Sequence, residues 1–225
     1  MRSALALALL AGCRGFETPT PEDLSRLLGS LPPEESSFVR LKVRMKIDSP
    51  SLAGEFEGVV VARTRPRPAV RAQFFPDLGG KALDLVATAD RITGYFPFQN
   101  EGIDLSLPGE ARLHPLTLIG VTLLEHAAEL VADRVTGVRE EEDGRWYRVA
   151  GAAPGVTVLF QRRGERTLRR FTWRYGVGWT ETSTASGAAV EAPGLSIRVD
   201  VLSREHPAGV PERIFELALP PEVRR

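Results

Sequence analysis

The sequence predicts a mainly β, α+β fold: a single strongly curved antiparallel sheet, a half-barrel of about eleven strands, closed by one main helix, with a short second helix near the N-terminus. Three observations predict it. Apolar and polar residues alternate through most of the 225 residues, which is the period of half-buried strands. Turn signals separate these runs at short intervals. One stretch, beginning at Pro115, changes to helical spacing. A composition of 43% hydrophobic and 26% charged residues supplies a core and excludes a disordered chain. Twenty-nine basic residues balance 29 acidic ones, so there is no electrostatic case for a nucleic-acid partner. Lys42, Lys46 and Lys81 are the lysines. Arginine therefore supplies nearly all the cations, and a single arginine is weak evidence of a site.

The N-terminus reads as a processing signal. Met1-Arg2-Ser3 precedes the apolar run Ala4 to Leu10, the pattern of a secretory signal peptide. The run is far short of the roughly 20 apolar residues that span a bilayer. Leu10-Ala11-Gly12-Cys13 follows and resembles a bacterial lipobox, with the chain's single cysteine at the position that is lipidated. One cysteine also excludes intramolecular disulfides and multi-cysteine metal sites. The expected organisation is a lipoprotein signal peptide over 1–12, lipidated Cys13 and a tether over 13–37, and one domain over 38–225. The resemblance implies a lipid-anchored protein facing the periplasm. Arg14 stands where an aspartate would resemble an inner-membrane retention signal, which favours the outer membrane.

Within the tether, Pro21 to Leu28 can form a short helix with Glu22 and Asp23 in its first turn. From Phe38 the period becomes two. Val39, Leu41, Val43, Met45 and Ile47 alternate with Arg40, Lys42, Arg44 and Lys46, giving an apolar face and a basic face. Glu55 and Glu57, in the next strand over 54–65, can face that basic row. Further strands are predicted over 69–75, 82–88 and 91–96. Phe75 to Lys81 is a turn carrying Phe75 and Leu78. From Pro115, Leu116, Ile119, Leu123, Ala127, Leu130 and Val131 recur at helical spacing, with Glu125, Glu129 and Asp133 on another face, predicting an amphipathic helix of about twenty residues. Later strands are predicted over 135–141, 145–150, 156–161, 167–175, 177–183 and 195–201. The stretch 185–193 reads as a loop, and a last strand is predicted over 212–219.

Chemistry is hard to find in this sequence. His114, His126 and His206 are scattered, and Glu125-His126 lacks the second histidine of a helical zinc site. His126 is expected on a solvated helix face, and Glu140 to Asp143 at a solvated hairpin tip. There is no nucleophile elbow. No catalytic residue, no metal and no cofactor are expected, and the chain is not expected to be an enzyme. Phe56, Val60, Phe74, Leu83, Leu85, Phe96, Phe171 and Trp173 can line the face under the helix. They form either a filled core or an apolar cavity for acyl chains.

The order of lipobox, proline-rich tether, early strands, one midway helix and further strands resembles the LolA/LolB-like lipoprotein-localisation family. Val70 to Gly79 resembles the LolB stretch ending in a Pro-Leu-Gly turn, here Pro76-Asp77-Leu78-Gly79 with an added aspartate. Pro211 to Pro220 resembles the closing strand of related lipoproteins. The resemblance implies a half-barrel around an apolar cavity, and an outer-membrane lipoprotein that binds acyl chains of lipoproteins or lipids and helps insert them. It implies a membrane-insertion loop at Phe75 and Leu78, and a periplasmic LolA-like carrier as a partner. The alternative is a non-catalytic assembly or scaffold lipoprotein with a filled core.

Overall fold

The computed structural model describes residues 15–31, 37–50, 53–77, 79–107, 115–128, 130–173 and 178–223. Cys13, Leu78 and His114 lie outside them. The described strands form one open antiparallel sheet: β1 (Phe38–Asp48), β2 (Ala53–Arg63), β3 (Ala69–Phe75), β4 (Leu83–Thr88), β5 (Arg91–Phe96), β6 (Glu101–Ser106), β7 (Val135–Glu141), β8 (Gly144–Ala150), β9 (Val156–Arg163), β10 (Arg166–Trp173), β11 (Gly178–Thr184), β12 (Gly187–Ala192) and β13 (Leu195–Glu205). The spatial order is 6-5-4-3-2-1-13-12-11-10-9-8-7. The chain starts at the middle of the sheet and meanders to the β6 edge. It crosses to the β7 edge and meanders back until β13 pairs with β1. The crossing contains helix α2 (Pro115–Ala127), which therefore lies over one face.

Alternation assigns the two faces. Val43, Met45 and Ile47 point to the inner, helix-bearing face and are at most 2% exposed. Their register partners Gly58, Phe56, Ile197 and Val199 share that face. One apolar cluster runs along it from Leu105 on β6 to Val138 on β7. The basic row of β1 points outward, and Glu55 and Glu57 do face it: Arg44 lies 3.4 Å and 3.3 Å from them, and Lys42 lies 3.9 Å from Glu57.

The structure departs from the expected elements in five respects. The described sheet has thirteen strands rather than about eleven. The stretch read as a loop contains β12, where a Cβ at Gly187 would stand 2.3 Å from the Val199 carbonyl oxygen. β6 joins the sheet beyond β5. The last predicted strand is instead a 3-10 turn (Glu212–Phe215) followed by an extended segment on the outer face. Arg71 holds it there, donating to the Ile214 and Glu216 carbonyls at 3.1 and 3.3 Å, while its guanidinium pairs with buried Asp84 at 2.8 Å. Phe215 packs with Val61, Ala69 and Val86. The main helix is also shorter than expected. It ends at Ala127, and a 3-10 turn (Ala132–Arg134) brings Arg134 back to Glu125 at 3.0 Å.

Segments from elsewhere in the chain pack at both edges of the sheet. Glu17 bridges Val138 of β7 through two backbone hydrogen bonds of 2.9 Å. Helix α1 (Pro21–Gly29) follows, with Thr20 and Asp23 in a reciprocal capping box. Its Leu27 is 2% exposed and belongs to the main core. At the other edge, Asn100 donates to the Glu222 carbonyl at 3.2 Å, and Val223 and Leu219 pack beside Gly102 of β6.

Candidate lipid-binding face

The site is the inner face and the helix over it. Glycines let α2 sit close. A Cβ at Gly94 of β5 would fall 2.7 Å from Leu116 Cδ1, and one at Gly120 of α2 would fall 3.0 Å from Ile92 Cγ2. Leu116, Val121 and Leu124 are fully buried there. Phe56 and Val60 on β2, Phe74 on β3, Leu83 and Leu85 on β4, and Phe96 on β5 all point inward and are no more than 7% exposed. The Phe74 ring lies across Gly58, where a Cβ would be 2.4 Å from it. Phe171 and Trp173 lie on β10, on the other half of the face, and Phe171 stacks on Trp179 at 4.9 Å. All eight residues belong to one apolar cluster.

The far half of the face also carries charge that the sequence reading did not place there. Glu181 on β11 has a fully buried side chain. Its carboxylate accepts from Arg169 Nη1 at 2.8 Å and stands 2.7 Å from His126 Nε2. Burial works against its charge, but His126 and Arg169 outweigh that and hold the carboxyl down at about 2. His126, expected on a solvated helix face, is exposed there and is also the partner of a buried carboxylate. Glu125, expected on an outward helix face, is also buried. It accepts from the Ala153 amide at 3.0 Å and pairs with Arg134, yet burial pushes its pKa up. Thr122 accepts from Trp179 Nε1 at 2.9 Å. Thr122, Glu125 and His126 thus fasten the last turns of α2 to this half of the face. Beside them lies a crevice of about 40 Å³, lined by Glu125, Ala128, Leu130, Arg134, Val149, Val158, Phe160 and Arg169.

This geometry has known counterparts. A DUF1329 family protein from Desulfovibrio piger superposes with a TM-score of 0.53 at 11% identity, over 86% of this chain and 94% of that one. A domain named for outer-membrane lipoprotein sorting, from Vibrio parahaemolyticus, gives 0.52 at 10% identity over 80% and 89%. A LolA superfamily protein from Nitrosomonas europaea gives 0.52 at 14% identity over 88% and 98%. The chain has the LolA/LolB-like fold. No protein-family profile matches its sequence, and no curated protein matches it at the sequence level.

Leu78, expected in a membrane-insertion loop, lies outside the described residues. Its neighbours make a turn closed by Gly79 N donating to the Pro76 carbonyl at 3.0 Å. Gly79 and Gly80 have φ of 82° and 78°, which glycine adopts without strain. Phe75 is 38% exposed. The neighbouring β5–β6 turn adds Phe98, at 67% the most exposed large apolar side chain among the described residues. Its ring stands against Gly80, where a Cβ would come within 3.3 Å. An aromatic in a turn was the signal available for Phe98, as it was for Phe75. Both turns lie at the rim where β3 ends and β5 ends. The N-terminal segment runs antiparallel to β7 and leaves the sheet at the opposite rim.

Proposed function

We propose that this chain is an outer-membrane lipoprotein that takes acyl chains of lipoproteins or lipids onto its inner face and helps insert them into the membrane. The observation that carries the reading is one continuous apolar face of a LolA/LolB-like sheet, covered by α2 over β3–β5. The names of the Vibrio and Nitrosomonas counterparts support a role in lipoprotein sorting. Cys13 carries the anchor, and a LolA-like carrier delivers the cargo. Transfer runs by mass action between apolar sites and needs no catalytic residue and no cofactor. A drug-sized ligand occupies roughly 300–1,000 Å³, so entry requires α2 to lift from Gly94. Phe75, Leu78 and Phe98 meet the bilayer during delivery.

The small crevice beside Arg169 favours a second reading, an assembly lipoprotein whose core stays filled. Mass spectrometry of lipid co-purifying with a soluble form lacking residues 1–13 separates the two. Stoichiometric acyl lipid or lipoprotein supports transfer. A lipid-free protein that also fails to bind added acyl chains supports the scaffold.

A further inference from the structure

The outer face of β7–β10 concentrates arginine. Arg148, Leu159 and Arg170 stand side by side on β8, β9 and β10, and Arg163 faces Arg166 one hairpin turn away. Arg139 lies on β7 on the same face, opposite Trp146. Two of these cations are neutralised nearby: Arg139 pairs with Glu141, and Arg163 with Asp143 at 2.6 Å. Arg148 and Arg166 form no ion pair with a carboxylate among the described residues, and Arg170 shares the charge of Asp143 with Arg163. Neutral groups hold Arg170 and Arg148. Arg170 lies over the Trp146 ring at 4.2 Å, and Arg148 donates to Thr136 Oγ1 and the Thr136 carbonyl at 3.1 and 3.0 Å. Five arginines thus share the face with Glu141 and Asp143, and Glu142 and Glu165 lie in the turns at its end, whereas on β1 Arg40, Lys42 and Arg44 all face glutamates.

The chain's entry point lies on this same face. The guanidinium groups of Arg139, at 4.5 Å, and Arg148, at 5.1 Å, both lie over the Phe16 ring. Position 13 is three residues upstream, within roughly 11 Å of extended chain.

We propose that the outer face of β7–β10 docks on anionic phospholipid, with Arg148, Arg166 and Arg170 meeting the head groups. The proposal rests on the reading that Cys13 carries the lipid anchor, because the anchor sets which face meets the membrane.

The test uses the full chain with Cys13→Ala, so that binding is read without acyl chains, in co-sedimentation with vesicles of phosphatidylcholine alone or mixed with phosphatidylglycerol. Whatever residues 1–12 contribute is common to every variant. The expected result is preference for the phosphatidylglycerol vesicles that fades as salt rises. Arg148→Gln/Arg166→Gln/Arg170→Gln loses that preference by about ten-fold or more at low salt. Lys42→Gln/Arg44→Gln/Lys46→Gln, the same charge change on β1, keeps it. Should the first triple fail to fold by circular dichroism, the exposed pair Arg166→Gln/Arg170→Gln gives a partial loss. Equal binding to both vesicle types, or equal loss in both triples, overturns the proposal. Palmitate labelling of the unsubstituted chain reads the anchor separately: without labelling but with the vesicle preference intact, the face binds lipid and the anchor reading alone fails.

Discussion

His126 Nε2 on the last turn of α2 stands 2.7 Å from Glu181 Oε2 on β11. This contact joins the helix that closes the inner face to the half of the sheet farthest from the helix's own seat on β3, β4 and β5. Glu181 is one of the few charged groups in an otherwise apolar layer, and Arg169 balances it from the neighbouring strand. Breaking a buried pair by removing one partner is costly because the other charge is left behind.

Glu181→Gln is expected to destabilise the fold by about 3 kcal/mol at neutral pH, measured by urea denaturation. The sign with pH follows from the carboxyl held at about 2, below its ordinary value. Its contribution is present above the ordinary carboxylate range and disappears as pH falls through about 2. The gap between wild type and Glu181→Gln should therefore close between about pH 5 and pH 2. Glu125 has the opposite sign, because burial raises its pKa. Its ionisation weakens the fold as pH rises, so Glu125→Gln should lose least, relative to wild type, at high pH. A pH-independent gap for Glu181→Gln would show that its carboxylate is not held in the charged state.

Gly94→Ala should lift α2. The added methyl meets Leu116 Cδ1 at 2.7 Å and Leu85 Cδ1 at 3.2 Å, an overpacking cost of about 1–3 kcal/mol. If acyl chains enter under the helix, uptake of a fluorescent fatty acid should speed up as thermal stability falls. Slower or unchanged uptake with the same loss of stability would mean that the helix does not gate the face.

Cys13→Ala should abolish incorporation of radioactive palmitate and leave the precursor unprocessed or the protein soluble. Each buried methylene contributes about 0.8 kcal/mol, so several chains together anchor firmly. Continued labelling of the variant would place the lipid elsewhere.

Leu78→Glu and Phe98→Glu should each slow cargo insertion into membranes while leaving folding and cargo binding nearly intact. Phe98 is 67% exposed, so replacing it removes little packing. Burying one such side chain in a bilayer is worth roughly 1.5–3 kcal/mol, enough to bias a loop already held at the membrane. Normal delivery by both variants would remove this rim from the mechanism.

Much of the sheet was legible because one face is buried. Val43, Met45 and Ile47 alternate cleanly, and so do Leu195 and Ile197. Gly187 to Ala189 escaped because they are small, a composition shared by loops. Here that smallness lets the backbone approach Val199. Glu212 to Leu219 reads as a strand, but Arg71 binds its carbonyls in place of a neighbouring strand. The aromatic and aliphatic members of the site were legible by period two. Glu181 shares that period with Trp179 and Ser183, so its inward position was readable. That a charge could be stable there was not, because Arg169 and His126 are distant in sequence and meet only in the fold. Glu125 likewise depends on Ala153 and Arg134, which no helical pattern connects to it.

The central claim is that acyl chains bind on the inner face. The most direct measurement places a photo-reactive phenylalanine analogue at Phe56, Phe74 or Trp173, with Arg40 on the outer face as the comparison. The protein is irradiated in cells and its adducts identified by mass spectrometry. The account predicts lipid or lipoprotein adducts at two or more of the inner positions and none at Arg40. Equal capture at all four positions, or capture at Arg40 alone, would contradict it.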